Sequence, residues 1–377
     1  MYNFESEQED GLKQYGKSKE NKPSPIVQMG LFMDGDGIPL AFDITPGNTN
    51  EQVTLKPLEQ KIIDDFKFSK FIVCTDAGLA STSNRKFNNT NNRRFITTQS
   101  IKKLKKHLNE WALDLTSGWK LLGSDKTYNI STLRDNKELI QKYKDKTFYK
   151  ERWIKEDGLE QRLIITFSIK YQEYQKTIRE SQIQRALKLI EKNPQKIGKI
   201  RPNDPKRFIN TITTTPDGEV AKNNNYSLDE KVIFEEGKYD GLYAVCTNLE
   251  DDIKEIIKIS RRRWEIEESF RIMKSDFKAR PVFHSNDEMI KAHFATCFLA
   301  LIVYRYLEKG LNNKYTVTEI IETLRSMDMK FENNDSYIPN YIRTDLTDEL
   351  HEKFEFRTDF QVVSEAKIKK IIEKTKK

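Results

Sequence analysis

The row Arg263, Glu267, Arg271, Lys274 and Lys278 sets one carboxylate among four cations at helical spacing. Beside it Ile266, Phe270, Met273 and Phe277 form an apolar stripe, so residues 260–280 read as one amphipathic helix. A carboxylate inside a row of cations is poor at neutralising charge but suits phosphate chemistry. The acid can hold a divalent ion while the cations hold the phosphates around it. The same row also reads as a solvated face laced with i,i+4 ion pairs, each worth only about a few tenths of a kcal/mol. A second acid, Asp76, ends an apolar run and precedes Ala77-Gly78. A carboxylate at a strand end can make a local turn hydrogen bond, or it can coordinate a hard cation. The pairs Asp34/Asp36 and Glu9/Asp10 read as structural, one in a Gly-rich turn and the other in an acidic surface run.

These acids need elements to position them. Residues 26–33 are apolar, Asp34-Gly35-Asp36-Gly37 turns, and residues 38–44 run back, which is a hairpin. Pro46-Gly47-Asn48 ends the second strand, and Thr49 can cap a helix over residues 51–66. Residues 68–75, with the core Phe71-Ile72-Val73-Cys74, read as a buried strand leading to Asp76. Residues 94–98 read as another strand. A Lys-rich helix should then place Ile101, Leu104, Leu108 and Trp111 on one side, with Lys102, Lys103, Lys105 and Lys106 opposite. The middle of the chain has strand-like runs at 162–170 and 208–215 and a helix carrying Ile183, Leu187 and Ile190 that stops at Pro194. It reads as a β-rich module inserted into the first. The strand at 242–247 leads into a helical last third whose basic tail, 366–377, is expected to fray.

Composition narrows the class. The chain has 377 residues, with 65 Lys plus Arg against 58 Asp plus Glu, a net charge of +7. Charged residues make up 33% and apolar residues 37%, and 11% aromatics can fill a core, which excludes full disorder. The longest apolar run, near residues 294–304, is too short to cross a bilayer. The acidic start lacks a secretory signal, and Cys74, Cys246 and Cys297 are scattered as reduced thiols would be, so a cytoplasmic location is expected. The four histidines lack paired ligand spacing.

Together these motifs resemble bacterial insertion-sequence transposases of the DDE class (the family-four type), in the branch with a β-strand insertion domain and a Y-R-E-K signature. Arg263, Glu267 and Lys274 match that signature in identity and spacing, within Arg-Trp-x-Ile-Glu; its first position is Ser260 in place of Tyr. Tyr15-Gly16-Lys17-Ser18-Lys19-Glu20 and Pro46-Gly47-Asn48 look like the patterns flanking the family's first hairpin, and Thr75-Asp76-Ala77-Gly78 looks like its second acidic motif. The resemblance implies an α/β, RNase H-like mixed sheet with flanking helices: residues 1–115 and 236–310 form the core, 116–235 a β-rich insertion, and 311–377 a C-terminal helical region. It implies that Asp76 and Glu267 are catalytic metal ligands, and that Arg263 and Lys274 contact DNA. Two Mg²⁺ ions, or Mn²⁺, would sit about 4 Å apart in the intact family site. The partner would be double-stranded DNA, at element ends and target, bound by a homodimer in a synaptic complex without membrane contact. Cleavage in this branch typically passes through a hairpin at the element's end.

One part of the pattern has no counterpart. The family's first Asp precedes a stretch that corresponds to residues 4–11, so it would fall about three residues before Met1. No Asp precedes Asp10. The expectation is a chain with its first strand largely missing and little transposition activity. The alternative is a non-catalytic DNA-binding or dimerising remnant that interferes with an intact copy. Trp119 and Trp153, in the middle module, could stack on a flipped base or fill a core.

Overall fold

In the computed structural model, residues 2–17, 23–67, 70–90, 92–192, 204–214, 220–332, 336–360 and 362–374 are described. Ser18, Lys19 and Glu20 of the Tyr15 motif, Pro194, Thr215 and the last three tail residues lie outside them. The chain begins with β1 (Tyr2–Glu5), β2 (Ile26–Met33), β3 (Pro39–Pro46), α1 (Glu51–Phe66), β4 (Phe71–Thr75), α2 (Thr82–Phe87) and β5 (Arg93–Thr98). A 3-10 turn (Ile101–Lys103) leads to α3 (Lys106–Leu113), β6 (Trp119–Leu121), β7 (Thr127–Tyr128), α4 (Ile130–Asp135) and α5 (Lys137–Tyr143). Next come β8 (Phe148–Glu156), β9 (Leu159–Phe167), α6 (Ile169–Lys192), β10 (Ile209–Thr214), β11 (Val220–Leu228), α7 (Glu230–Gly237) and β12 (Leu242–Thr247). The last third is α8 (Ile253–Arg261), α9 (Trp264–Ser275), α10 (Asp287–Gly310), α11 (Val317–Ser326), β13 (Met329–Glu332), β14 (Ser336–Pro339), α12 (Asp345–Lys353), β15 (Val363–Ser364) and α13 (Glu365–Lys374). These elements divide into two compact units, Met1–Phe68 with Arg261–Lys377, and Ser69–Ser260.

In the first unit β1, β2 and β3 form an antiparallel sheet with Phe4 opposite Val27 and Met29 opposite Ile44. The expected hairpin is made by its turn chemistry. Asp34 Oδ1 accepts from the backbone N–H groups of Asp36 and Ile38 at 2.8 and 2.9 Å, so Asp34 is structural, as its turn position suggested. Gly37 closes the turn at φ +78°, where a Cβ would stand 2.7 Å from Glu265 Oε2 of α9. Helix α1 follows as expected, but its cap is Asn50, not Thr49. Asn50 has the extended backbone of a cap and accepts from Gln52 N–H, whereas Thr49 N–H is spent on Pro46 O inside the preceding turn. Helices α9 and α10 bury Phe270, Met273, Ile290, Phe294 and Leu301 in one core with Phe4, Val27, Met29 and Leu31 of the sheet.

The single helix expected over 260–280 is in fact interrupted twice. Bonds from Glu265 N–H to Arg262 O and from Ile266 N–H to Arg263 O form a tight turn between α8 and α9. At the other end Lys278 takes a left-handed conformation (φ +53°), and Ala279 N–H bonds to Met273 O. Lys278 and Phe277 therefore lie beyond the helix, although Phe277 still packs on the core. Helix α10 contains the longest apolar run but extends over 24 residues, so the element is long enough to span a bilayer by length and composition. The run looked shorter because polar residues at both ends belong to the same helix. The tail, expected to fray, is helical through Lys374, which bonds to Glu355 O and Oε2 at 3.3 and 3.0 Å.

In the second unit seven strands form a mixed sheet in the order β4-β5-β12-β9-β8-β6-β7. β4 and β5 are parallel and the remaining pairs antiparallel, so the chain is a mixed α/β protein with flanking helices. Of the strand runs expected in the middle, 162–170 is β9, which pairs with β12 and with the unexpected β8 in this sheet. The run 208–215 contains β10, which pairs instead with β11 in a separate two-stranded sheet. β4 is an edge strand: Val73 is buried, but Ile72 is 46% exposed, so the run is only half-buried. The Lys-rich helix is also shorter than expected. Leu104 is extended between the 3-10 turn and α3, yet Ile101, Leu104 and Leu108 all reach the core, with the lysines outward.

Candidate active site

Asp76 stands immediately after β4, in the second unit. Thr75 and Thr97 are register partners across the parallel pair β4/β5, and their hydroxyls bond at 2.9 Å. Thr97 Oγ1 also reaches Asp76 O at 3.4 Å, which ties the strand end to its neighbour. The Asp76 side chain is half-buried, and its Oδ1 accepts from Gly78 and Leu79 N–H at 2.9 and 3.2 Å. The turn reading is thus correct for one oxygen. Among the described residues Oδ2 accepts no hydrogen bond, so one hard oxygen is left for a further partner. Helix α2 follows, capped by Ser81 and tied to the sheet by Arg85, which donates to Gln161 and Gln99 at 3.0 and 2.7 Å.

Glu267 lies in the first turns of α9, in the first unit. Its side chain is exposed and, among the described residues, makes no hydrogen bond or ion pair. Its neighbours hold the helix in place. Ser269 Oγ donates to Glu265 O at 2.8 Å. Arg305 of α10, buried, donates to Glu268 Oε2 at 3.1 and 3.2 Å, to Glu265 O at 3.2 Å and to Ser269 Oγ at 2.8 Å. Glu308 takes a further bond from Arg305 at 2.7 Å and one from Tyr304 at 2.8 Å. Burial, with the Glu308 carboxylate beside it, pushes the Tyr304 hydroxyl well above its ordinary range. Arg305 carried a faint signal in the sequence, as the one cation inside the apolar stretch of α10.

Arg263, half-buried, sits in the tight turn just before α9. Lys274 is buried at the other end, its ammonium 3.9 Å from the Tyr2 ring centre and 5.3 Å from that of Phe4. That is a cation–π arrangement between α9 and β1. Ser260, at the position of the signature Tyr, is buried in the last turn of α8. Helix α9 thus carries Glu267 and Lys274, with Arg263 in the turn ahead of it, while Asp76 belongs to the other unit.

Two aromatic candidates separate. Trp119 is fully buried, donates from Nε1 to Asp114 O at 2.9 Å, and is covered by the Lys150 ammonium, so it is a core residue. Burial pulls Lys150 down to about 8. Trp153 is 44% exposed.

Among the described residues one group of acids and histidine lies close enough to chelate: Asp348, His351 and Asp359. Two arginines already balance its two carboxylates. Arg343 Nε is 2.9 Å from Asp348, and Arg357 bonds to both Asp348 and Asp359. Such a salt-bridged network offers a cation little. The donor sets of Asp76 and Glu267 are different in kind, each presenting a carboxylate oxygen with no partner among the described residues. Hard oxygens of this type suit Mg²⁺ or Mn²⁺.

No curated protein matches the chain. The transposase DDE domain family matches residues 4–303, a span that runs from β1 into α10 and includes both Asp76 and Glu267. The chain therefore belongs to the transposase DDE domain family, whose members act on DNA and generally use divalent metal ions.

Proposed function

We propose that these residues are the catalytic region of an insertion-sequence transposase of the Y-R-E-K branch, cleaving element ends and joining them to target DNA. The observation that carries this reading is Glu267: a free, exposed carboxylate on a helix braced from behind by Arg305, with Arg263 in the turn before it. Such a carboxylate is available to a metal ion at no cost in internal ion pairs.

In this reading Asp76 and Glu267 are metal ligands. Bound Mg²⁺ or Mn²⁺, two ions in the complete family site, would activate the attacking oxygen and stabilise the leaving one. The chain's own part is to present Asp76 Oδ2 while Gly78 and Leu79 N–H hold Oδ1, and to hold Glu267 rigidly on α9. Arg263 would take a phosphate through its planar fork. Lys274 would add a point charge after leaving the Tyr2 and Phe4 rings. The proposal includes an RNase H-like core from residues 1–115 and 236–310, an insertion at 116–235, a C-terminal region at 311–377, a homodimer on DNA and a cytoplasmic location.

A second reading has its own observation. Asp10 lies exposed in a turn whose backbone is bonded to that of Lys13. If Asp10 holds no metal there, cleavage would be little or none, which leaves a DNA-binding or dimerising role that interferes with an intact copy. Binding and cleavage of DNA carrying the element's own ends separate the readings. DNA affinity should fall steeply as salt rises and should survive or improve in Glu267→Gln. Mn²⁺-dependent cleavage that Glu267→Gln abolishes would establish the first reading and overturn the second. Failure to bind DNA at low salt would overturn both.

A further inference from the structure

We infer that Thr97, oriented by Thr75, is the positioning residue for Asp76, its hydroxyl fixing the turn from which Oδ2 is presented. The inference rests on the reading of Asp76 as a metal ligand and adds what sets that ligand's direction. β4 lies at the edge of the seven-stranded sheet, so β5 is its sole neighbour among the described strands. Backbone pairing between the two ends at Thr75 and Thr97, one residue short of Asp76. The backbone ladder does not reach the acid, so a side chain has to.

Within the turn the bonds are local. Leu79 N–H meets Asp76 O at 3.3 Å, and Gly78 and Leu79 N–H share Oδ1. Such bonds fix the shape of a turn but leave its direction relative to the sheet free. Two side chains supply that direction. At the far end Asn84, buried in α2, donates from Nδ2 to Leu79 O at 3.0 Å. At the near end Thr75 Oγ1 donates to Thr97 Oγ1 at 2.9 Å, which leaves the Thr97 proton for Asp76 O, 3.4 Å away. This last bond is long for a hydroxyl, as positioning bonds often are before a ligand engages the site.

The sheet itself does not ask for these hydroxyls. Thr75 and Thr97 are 8% and 1% exposed, and Cys246 of β12 is the register partner of Thr97 on its other side. Two valines would fill nearly the same volume, suit a strand as well and bury no polar group. A buried hydroxyl offsets its desolvation only through its bonds, and here the relay ends on the acid's own carbonyl. Thr247 is the contrast. Its hydroxyl, fully buried, donates to Phe95 O and accepts from Leu249 N–H at 3.1 Å, tying β12 to β5 two residues before Thr97.

Site-resolved metal binding to the whole chain tests the inference. Fe²⁺ with ascorbate and peroxide cuts the backbone beside the residues that hold it. The readout is the Fe²⁺ concentration that gives half-maximal cutting beside residue 76. Thr97→Val should raise it about tenfold, the low end for a residue that orients a metal ligand. Thr97→Ser, which keeps the hydroxyl, should leave it close to that of the parent chain. Thr75→Val should give a smaller rise, because Thr97 keeps its proton and loses its orientation, and it tests the relay if Thr97→Val does not fold. Thr247→Val should lower stability in urea, as Thr97→Val does, without moving the cutting curve. A curve unmoved in either Val variant of the relay that folds, an equal rise in Thr247→Val, or no rescue in Thr97→Ser would overturn the positioning role and leave Asp76 a ligand. No cut beside residue 76 in the parent chain would overturn the metal reading itself, and the inference with it.

Discussion

Arg305 Nη1 lies 3.1 Å from Glu268 Oε2, and the residue next to Glu268 in the chain is the unpartnered Glu267. The buried guanidinium of α10 thus fixes the helix turn from which the candidate metal ligand projects. Removing it takes the cation from Glu308 and, among the described residues, leaves Glu268 only the longer contact to Arg271 at 3.6 Å. Arg305→Met should lower the stability of the first unit by about 3 kcal/mol, the scale for breaking a largely buried ion pair. Arg305→Lys, which keeps the charge but not the fork, should cost clearly less. Urea unfolding checks both, with equal losses contradicting the clamp.

Asp76→Asn and Glu267→Gln should leave folding nearly untouched, within about 0.5 kcal/mol. An Asn can still accept from Gly78 and Leu79 N–H, and Glu267 has no bond to lose. Loss of metal-dependent chemistry together with an unchanged unfolding curve would mark these carboxylates as functional. A large stability loss in either would mark them as structural.

Arg263 and Lys274 should behave differently when replaced. Arg263→Ala should weaken DNA binding uniformly across sequences and reduce the salt slope by about one, as the loss of one phosphate contact does. Lys274→Ala should also cost about 1 kcal/mol of stability, because its ammonium lies over Tyr2 and Phe4. Parallel DNA and urea titrations of the two variants check this contrast.

His351 predicts a pH dependence. It is buried among Asp348, Asp359, Arg343 and Arg357, its Nε2 shared with Tyr341 and Thr358 hydroxyls, and burial lowers its pKa from the ordinary 6.5. The unfolded chain therefore takes up the proton at a higher pH than the folded one. Stability is full above the unfolded value and is lost as pH falls from there through the folded value. Thermal unfolding of the first unit should drop over that window, and His351→Gln should flatten the drop. An equal drop in the variant would assign it to other groups.

What the sequence made legible was local. Turn chemistry at Asp34–Gly37 announced the hairpin, and the apolar stripe from Ile266 to Phe277 announced which side of α9 is inward. Long-range consequences were hidden. Periodicity runs smoothly through Arg262 and Arg263, where tight backbone bonds break the helix. Nothing near Lys274 in sequence shows that Tyr2 and Phe4 lie against it. The run before Asp76 reads as fully buried because an edge strand and a central strand share composition. For the acids the sequence carried both their positions and the family pattern, whereas the free oxygens of Asp76 and Glu267 became visible only with their neighbours in place.

Whether Asp76 and Glu267 hold divalent metal can be tested without turnover. Fe²⁺ in place of Mg²⁺, with ascorbate and peroxide, cuts a polypeptide next to the residues that bind it. The account predicts cuts near residue 76 and near residue 267, both suppressed by excess Mg²⁺ or Mn²⁺ and both lost in Asp76→Asn and in Glu267→Gln. Cuts at only one position, or at Asp348 and Asp359 instead, would contradict it.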